Sequence, residues 1–175
     1  MNFILRKLRR TDLPECMVSK LLGTFNMAYS LQTINPETGE EKRYYDREAK
    51  KGEKITEEKF LFRSKGTVAF KDCEVVLEFI PPSRGDVELE KWCEKLEMTY
   101  RTLHDAYASI FENLGIVIED FLRFRLSVVR INAISEHVMV FSYEGSDSVE
   151  DDYYCELIVC LSRDLSIKDI SRNEY

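Results

Sequence analysis

The chain is poor in glycine and histidine, and both shortages exclude familiar kinds of site. Only seven glycines occur in 175 residues, and none has the spacing of a phosphate-binding or dinucleotide-binding loop. The two histidines have no second histidine or cysteine cluster at metal-ligand spacing. We therefore expect no nucleotide site of those kinds, no metal and no cofactor, and the sequence favours a protein that is not an enzyme.

Long apolar runs and paired cysteines are also missing. The chain lacks a run of about 18 apolar residues, which a transmembrane helix needs. Its first residues carry their positive charges after an apolar patch, which is the reverse of a secretory signal. The five cysteines are odd in number and form no C-x-x-C pair, which is typical of reduced thiols. These features predict a cytoplasmic protein without a transmembrane segment.

Positive charge is in deficit, because 25 lysines and arginines face 32 aspartates and glutamates, for a net charge of −7. A protein that binds nucleic acid irrespective of sequence needs a basic surface, so this charge argues against that function. It is compatible with a basic protein partner. A basic cluster near the start is either a solvated terminal face or an arm for a membrane surface or nucleic acid; it comprises Arg6, Lys7, Arg9 and Arg10.

The most regular pattern in the chain predicts one long helix over residues 86–114. Apolar side chains recur along one face at steps of three and four residues: Leu89, Cys93, Leu96, Tyr100, Leu103, Tyr107, Ile110 and Leu114. Asp86 suits the N-cap, and Gly115 suits the position just beyond the last turn. Such a helix is about 40 Å long. Its apolar stripe either covers a sheet or forms a coiled-coil seam that joins copies of the chain into a homo-oligomer.

Segments on both sides of this helix have the two-residue period of strands. Residues 24–33 alternate strictly, as a half-buried antiparallel strand does. Further strands are predicted near residues 44–45 and 60–62, and at 67–71, 74–80, 123–131, 137–143, 153–161 and 166–170, with a bulge in 123–131 where the apolar phase reverses. We predict a single α+β domain over residues 1–175. In it, a mainly antiparallel sheet, either curved or split in two, packs against one long central helix.

An acidic stretch followed by two tyrosines is the most distinctive charged feature. It consists of Glu144, Asp147, Glu150, Asp151, Asp152, Tyr153 and Tyr154. Carboxylates can steer a basic partner to this surface, and tyrosines can anchor it. A weak cation site and a solvated hairpin loop are the alternatives. The stretch therefore supports the hypothesis of a protein that binds another protein through an acidic and aromatic surface.

A second hypothesis places a pocket between the helix and the sheet. Tyr100, His104, Tyr107 and His137 are its natural lining, and they would suit a small-ligand-binding protein or an enzyme. His104 is followed by Asp105, but adjacent helical residues point in different directions and do not form a catalytic pair. The sequence therefore assigns no catalytic residue.

The order of elements over residues 86–170 carries a resemblance. The long helix is followed by FLRFRL at 121–126, HVMVF at 137–141, YCELIV at 154–159 and DLSI at 164–167. This half of the chain resembles small bacterial proteins of unknown function, some of which are encoded beside toxins as immunity proteins. The resemblance implies an acidic, non-catalytic binding protein of inhibitor, immunity or adaptor type without a cofactor. It carries no motif residue over to this chain.

Overall fold

The computed structural model describes residues 13–82, 88–143 and 155–174. The expected α+β fold, with one long helix and a mostly antiparallel sheet, is confirmed in these ranges. The elements are β1 (Cys16–Ser19), β2 (Gly23–Ile34), β3 (Glu41–Tyr45), β4 (Lys54–Ser64), β5 (Val68–Phe70), β6 (Cys73–Ile80), α1 (Leu89–Val117), β7 (Phe124–Asn132), β8 (His137–Tyr143), β9 (Cys155–Leu161) and β10 (Ile167–Glu174). A short 3-10 turn, Phe121–Arg123, precedes β7.

The strands form one sheet in the order β1–β2–β4–β6–β7–β8–β9–β10, with β3 paired to β2 and β5 paired to β6. Among the strand pairs that the structure describes, only β6 and β7 run parallel. Parallel neighbours cannot be joined by a tight turn, so the chain leaves β6, passes through α1 and returns as β7. The helix is thus the crossover between two antiparallel halves of the sheet.

One face of α1 is buried against the sheet. Its buried residues are Trp92, Leu96, Leu103, Tyr107, Ile110 and Leu114. They belong to the same core cluster as Phe62, Leu77, Val129 and Phe141 of the sheet. The apolar stripe that the sequence offered either to a sheet or to a second helix is therefore occupied by the sheet within a single chain. No helix in the described ranges is both long and apolar enough to cross a membrane.

The helix boundaries differ from the prediction of residues 86–114. The predicted start and its cap, Asp86, lie outside the described residues. At the other end, Gly115 lies inside the helix and lacks the positive φ of a helix-ending glycine, so the prediction that it ends the helix is wrong. Glycine weakens a helix without terminating it. The helix instead ends at Val117, where Ile118 turns to an extended conformation and its N–H donates to the Leu114 carbonyl at 2.9 Å.

The predicted strands lie where they are expected, with some longer than predicted. The prediction that β2 is half-buried is wrong, because Ala28 and Ser30 on its other face are buried as well as Tyr29 and Leu31. The bulge in β7 is confirmed, since its register with β8 shifts between Leu126 and Val128. β4 begins at Lys54 rather than at residue 60, because its charged first half pairs with the end of β2. β10 continues to Glu174 rather than ending at residue 170, because it pairs with β9 along its length. Backbone pairing extends these strands beyond their apolar residues.

The sheet curves on the side away from α1. Tyr45 of β3 donates its hydroxyl to the Glu78 carboxylate of β6. In the strand order β3 and β6 are three steps apart, which is about 15 Å in a flat sheet. Side chains stand roughly perpendicular to a sheet, so this contact requires the strands to curve toward one another. The face of the sheet without a helix is therefore concave.

Candidate functional site

The concave face forms an open groove of about 560 Å³. A row of four half-buried apolar side chains crosses its floor on adjacent strands: Val76, Val128, Val140 and Ile158. Their chain neighbours, such as Val129 and Met139, point to the opposite face and belong to the core under α1. A sheet face that contacts only water is usually polar. This row is therefore apolar surface that the described part of the chain leaves partly uncovered.

The groove is locally basic, although the chain as a whole is acidic. Four cations and two carboxylates line it: Lys42, Arg43, Arg63 and Arg130, with Glu41 and Glu156. Tyr44 and Tyr45 of β3 also belong to the lining. The net charge of −7 therefore describes the surface as a whole and not this groove.

A buried ion pair lies at the base of the groove. The Glu78 side chain is fully buried, and Arg130 is 7% exposed. The Arg130 Nε and Nη2 atoms lie 2.7 Å and 2.6 Å from the same carboxylate oxygen, Glu78 Oε2. The other oxygen accepts the Tyr45 hydroxyl, and Arg63 Nε lies 3.6 Å from it. Both oxygens of the carboxylate thus have partners, as a buried charge requires.

The environment of this pair fixes the protonation of Tyr45 and Arg130. Burial raises the pKa of Tyr45 to about 12, and the negative charge of Glu78 contributes to the increase. The phenol therefore remains a hydrogen-bond donor near neutral pH. Burial alone would lower the pKa of Arg130, but the charges of Glu78 and Tyr45 outweigh it and raise that pKa. The guanidinium stays charged.

Two guanidinium groups beside the floor have unused donors. Arg43 Nη2 donates to Gln32 Oε1 at 2.9 Å and lies 3.7 Å from the Glu57 carboxylate. The Arg63 guanidinium lies over the Tyr45 ring, 4.4 Å from its centroid. Within the residues that the structure describes, Arg43 Nη1 and Arg63 Nε are buried and have no hydrogen-bond partner.

Three of the four residues predicted to line a pocket come together. Tyr100, His104 and Tyr107 surround Phe70 of β5, with ring centroids 5.5, 5.4 and 5.4 Å from its own. The Tyr100 hydroxyl donates to the Ala69 carbonyl at 2.6 Å. Their rings meet Phe70 edge-on, so they form part of the packing between the helix and β5.

The fourth residue, His137, lies in a different place. It shares a hollow of about 270 Å³ with Lys95, Thr99 and Arg163. Its Nδ1 accepts the N–H of Asn132 at 3.2 Å. Burial, with the positive charges of Lys95 and Arg163, lowers the pKa of His137. The structure therefore does not join His137 to the three aromatic residues around Phe70.

The predicted acidic stretch, Glu144, Asp147, Glu150, Asp151, Asp152, Tyr153 and Tyr154, lies outside the described residues. So does the basic cluster Arg6, Lys7, Arg9 and Arg10. The residues that precede and follow the acidic stretch in sequence are informative, because Ser142 of β8 pairs with Glu156 of β9 and both line the groove. The acidic stretch connects these two strands in the chain, and its role in binding stays a prediction.

Sequence reasoning missed the pair Glu78 and Arg130. The signal was a single charged residue inside each of two apolar strand segments, VVLEFI at 75–80 and VVRI at 128–131. Charged side chains are rarely buried unless they are paired. Two isolated charges of opposite sign in such segments are candidates for a buried pair, but the partnership depends on β6 and β7 being neighbours.

Comparison with protein-family models gives no match, and comparisons with curated proteins and with solved structures give no significant match. The resemblance to bacterial immunity proteins therefore stays a prediction. Within the described ranges, no group of three or more histidine, cysteine, aspartate or glutamate side chains is placed to hold a metal ion.

Proposed function

We propose that the protein is a non-catalytic binding protein that holds a segment of another protein in the groove. This places it in the inhibitor, immunity or adaptor class that the sequence predicts. The observation that carries the proposal is the apolar row Val76, Val128, Val140 and Ile158, on the sheet face opposite the helix, which the described residues leave partly uncovered.

The composition of the groove fits a protein interface. An apolar patch surrounded by polar groups is typical of interaction sites. Tyrosine and arginine are enriched among the residues that contribute most of the binding energy at interfaces. Tyr45, Arg43 and Arg63 stand beside the apolar row in this arrangement. The stripe on α1, by contrast, packs on the sheet through its six buried residues.

The polar groups of the groove favour binding over catalysis. The described lining includes no histidine and no cysteine. Ser142 Oγ donates to Ser127 Oγ at 2.8 Å, and Ser127 Oγ donates to the Val140 carbonyl at 3.0 Å. A nucleophilic serine requires a neighbouring base, and neither of these hydrogen bonds supplies one. Nearby, Glu78 is engaged by Arg130 and Tyr45.

The test uses one substitution at two strand positions. Val140→Asp places a charge on the groove floor, and Val18→Asp places the same charge on β1, where valine is 64% exposed and outside the groove. Tagged wild type and both variants are cross-linked in extract of the native host, and captured polypeptides are identified by mass spectrometry. Both variants must first show a wild-type circular dichroism spectrum and cooperative unfolding.

The expected result is a stoichiometric partner that wild type and Val18→Asp capture and that Val140→Asp loses. Capture of the same partner by all three proteins would place the binding surface elsewhere and overturn the proposal. Loss of capture in both variants would show that the effect is not specific to the groove, and it would also count against the proposal.

A further inference from the structure

We infer that the groove selects an acidic segment of its partner, in which an aspartate or glutamate stands next to apolar side chains. This inference rests on the proposed function, because it assumes that the groove is the binding surface. The partner chemistry is the opposite of the basic partner expected from the net charge and from the acidic stretch.

Charge around the groove is the first argument. Four cations surround two carboxylates in the network beside the floor: Arg43, Lys59, Arg63 and Arg130 around Glu57 and Glu78. The Lys59 ammonium lies 2.6 Å from Glu57, and Arg130 lies 2.6 Å from Glu78. These short ion pairs compensate both carboxylates. Within this network the charges of Arg43 and Arg63 remain in excess, at 3.7 Å and 3.6 Å from the nearest carboxylate oxygen. Glu41 and Glu156 of the groove lining offset part of this excess, and Lys42 of the lining adds to it.

Unused hydrogen-bond donors are the second argument. Arg43 Nη1 and Arg63 Nε are buried, and neither has an acceptor in the described part of the chain. Neither atom is open to the groove, so a ligand meets the exposed part of these guanidinium groups, whose side chains are 28% and 38% exposed. Their positive charge favours a ligand that brings an anionic acceptor. The planar guanidinium matches a carboxylate with two parallel hydrogen bonds. Both groups are also held in position, Arg43 by Gln32 and Arg63 by the Tyr45 ring.

The apolar floor of the groove favours a peptide over a purely anionic ligand. The row that includes Val128 and Val140 lies beside these guanidinium groups in the same groove. A polyphosphate or nucleic-acid backbone would leave this apolar surface uncovered. A peptide with a carboxylate beside leucine, isoleucine, valine or phenylalanine would cover the floor and supply the acceptor at once.

The experiment selects random peptides, displayed on phage, against the full chain. The expected enrichment is for aspartate or glutamate next to an apolar residue. The most enriched peptide is then synthesised, and its Kd is measured by fluorescence anisotropy. Arg43→Gln should weaken binding by about tenfold, the usual effect of losing one good charged hydrogen bond. The matched control Arg101→Gln changes an exposed arginine on α1 and should leave the Kd unchanged.

A charge swap separates recognition from folding. Arg43→Glu should lose the selected peptide and bind the same peptide with its glutamate replaced by lysine. A misfolded variant could not regain affinity in this way. If the peptide binds Arg43→Gln, Arg43→Glu and wild type with equal affinity, the inference is overturned.

The remaining outcomes distinguish the inference from the proposed function. Peptides without an acidic bias whose binding is lost in Val140→Asp would overturn the inference and leave the proposed function standing. Basic peptides whose binding is lost when Glu150, Asp151 and Asp152 are neutralised would overturn both, in favour of the acidic stretch. Failure to enrich any peptide above the blank support would count against both.

Discussion

The pair Glu78 and Arg130 provides the sharpest test of what holds the groove together. The perturbations are Arg130→Met and Glu78→Gln, made singly and together. Removing one partner of a buried ion pair costs about 3–5 kcal/mol, because the other charge stays buried. In Arg130→Met, the fully buried carboxylate keeps the Tyr45 hydroxyl and has Arg63 at 3.6 Å. This residual compensation places the expected loss near the lower end, at about 3 kcal/mol.

The double variant makes the test specific. It contains neither buried charge of the pair, so it should be destabilised by much less than the sum of the two single variants. The expected coupling energy is about 2 kcal/mol or more, within the range for groups in direct contact. The assay is urea unfolding followed by the fluorescence of Trp92, the only tryptophan, which is 6% exposed in the core. Unchanged m-values would show that the variants alter stability rather than the extent of unfolding.

A surface pair of similar length is the matched control. Lys91 Nζ lies 2.7 Å from Glu88, but the two side chains are 71% and 49% exposed. Lys91→Met should therefore cost at most about 0.5 kcal/mol, as is usual for exposed ion pairs. The reasoning would be refuted if Arg130→Met cost no more than Lys91→Met, or if the two substitutions at the buried pair were additive.

Four further predictions concern two glycines and two titrating groups. Gly115→Ala should stabilise the protein by about 0.5–1 kcal/mol in urea unfolding, since alanine suits a helix better than glycine and its Cβ would meet only Phe121, at 3.9 Å. Gly66→Ala, at a φ of +89°, should instead be destabilising by about 1 kcal/mol or more. Because burial raises the pKa of Tyr45 from 10.0 to about 12, stability should fall as the pH rises through that interval, and less so in Tyr45→Phe. Because burial lowers the pKa of His137 from 6.5, stability should fall as the pH drops below 6.5, and less so in His137→Asn. Unfolding curves that vary with pH in the same way for wild type and variant would contradict either of the last two.

The elements that sequence predicts well are those whose pattern is local. The helix stripe repeats at the helical period over many residues, and Phe25, Tyr29 and Leu31 of β2 recur with the two-residue period of a strand. The sequence does not show that Ala28 and Ser30 on the other face of β2 are buried too. The reversal of apolar phase between Val128 and Val129 is visible in the sequence, and the bulge of β7 lies next to it, between Leu126 and Val128. In each case the period of the backbone dictates which side chains share a face. A few neighbouring residues are therefore enough to predict the element.

The groove could not be predicted because its parts meet only in the folded sheet. Glu78 and Arg130 are 52 positions apart, and they become neighbours because β6 and β7 pair in parallel across the helix. The contact of Tyr45 with this pair depends in addition on the curvature of the sheet. For the predicted pocket, the positions on the helix could be predicted, but the residue that packs against them could not. Tyr100, His104 and Tyr107 lie on one helix face as expected, yet Phe70 of β5 fills the space between them.

The proposed acidic partner is compatible with an acidic chain, because net charge and local charge act at different distances. The charge of −7 governs the field beyond about 8–10 Å, where salt screens it strongly. At contact, the partner meets the partly buried guanidinium groups of Arg43 and Arg63, whose charges are screened much less. An acidic partner is therefore repelled weakly during approach and held firmly once its carboxylate reaches the guanidinium groups. Selectivity in this scheme comes from the groove, and the net charge limits the rate of encounter.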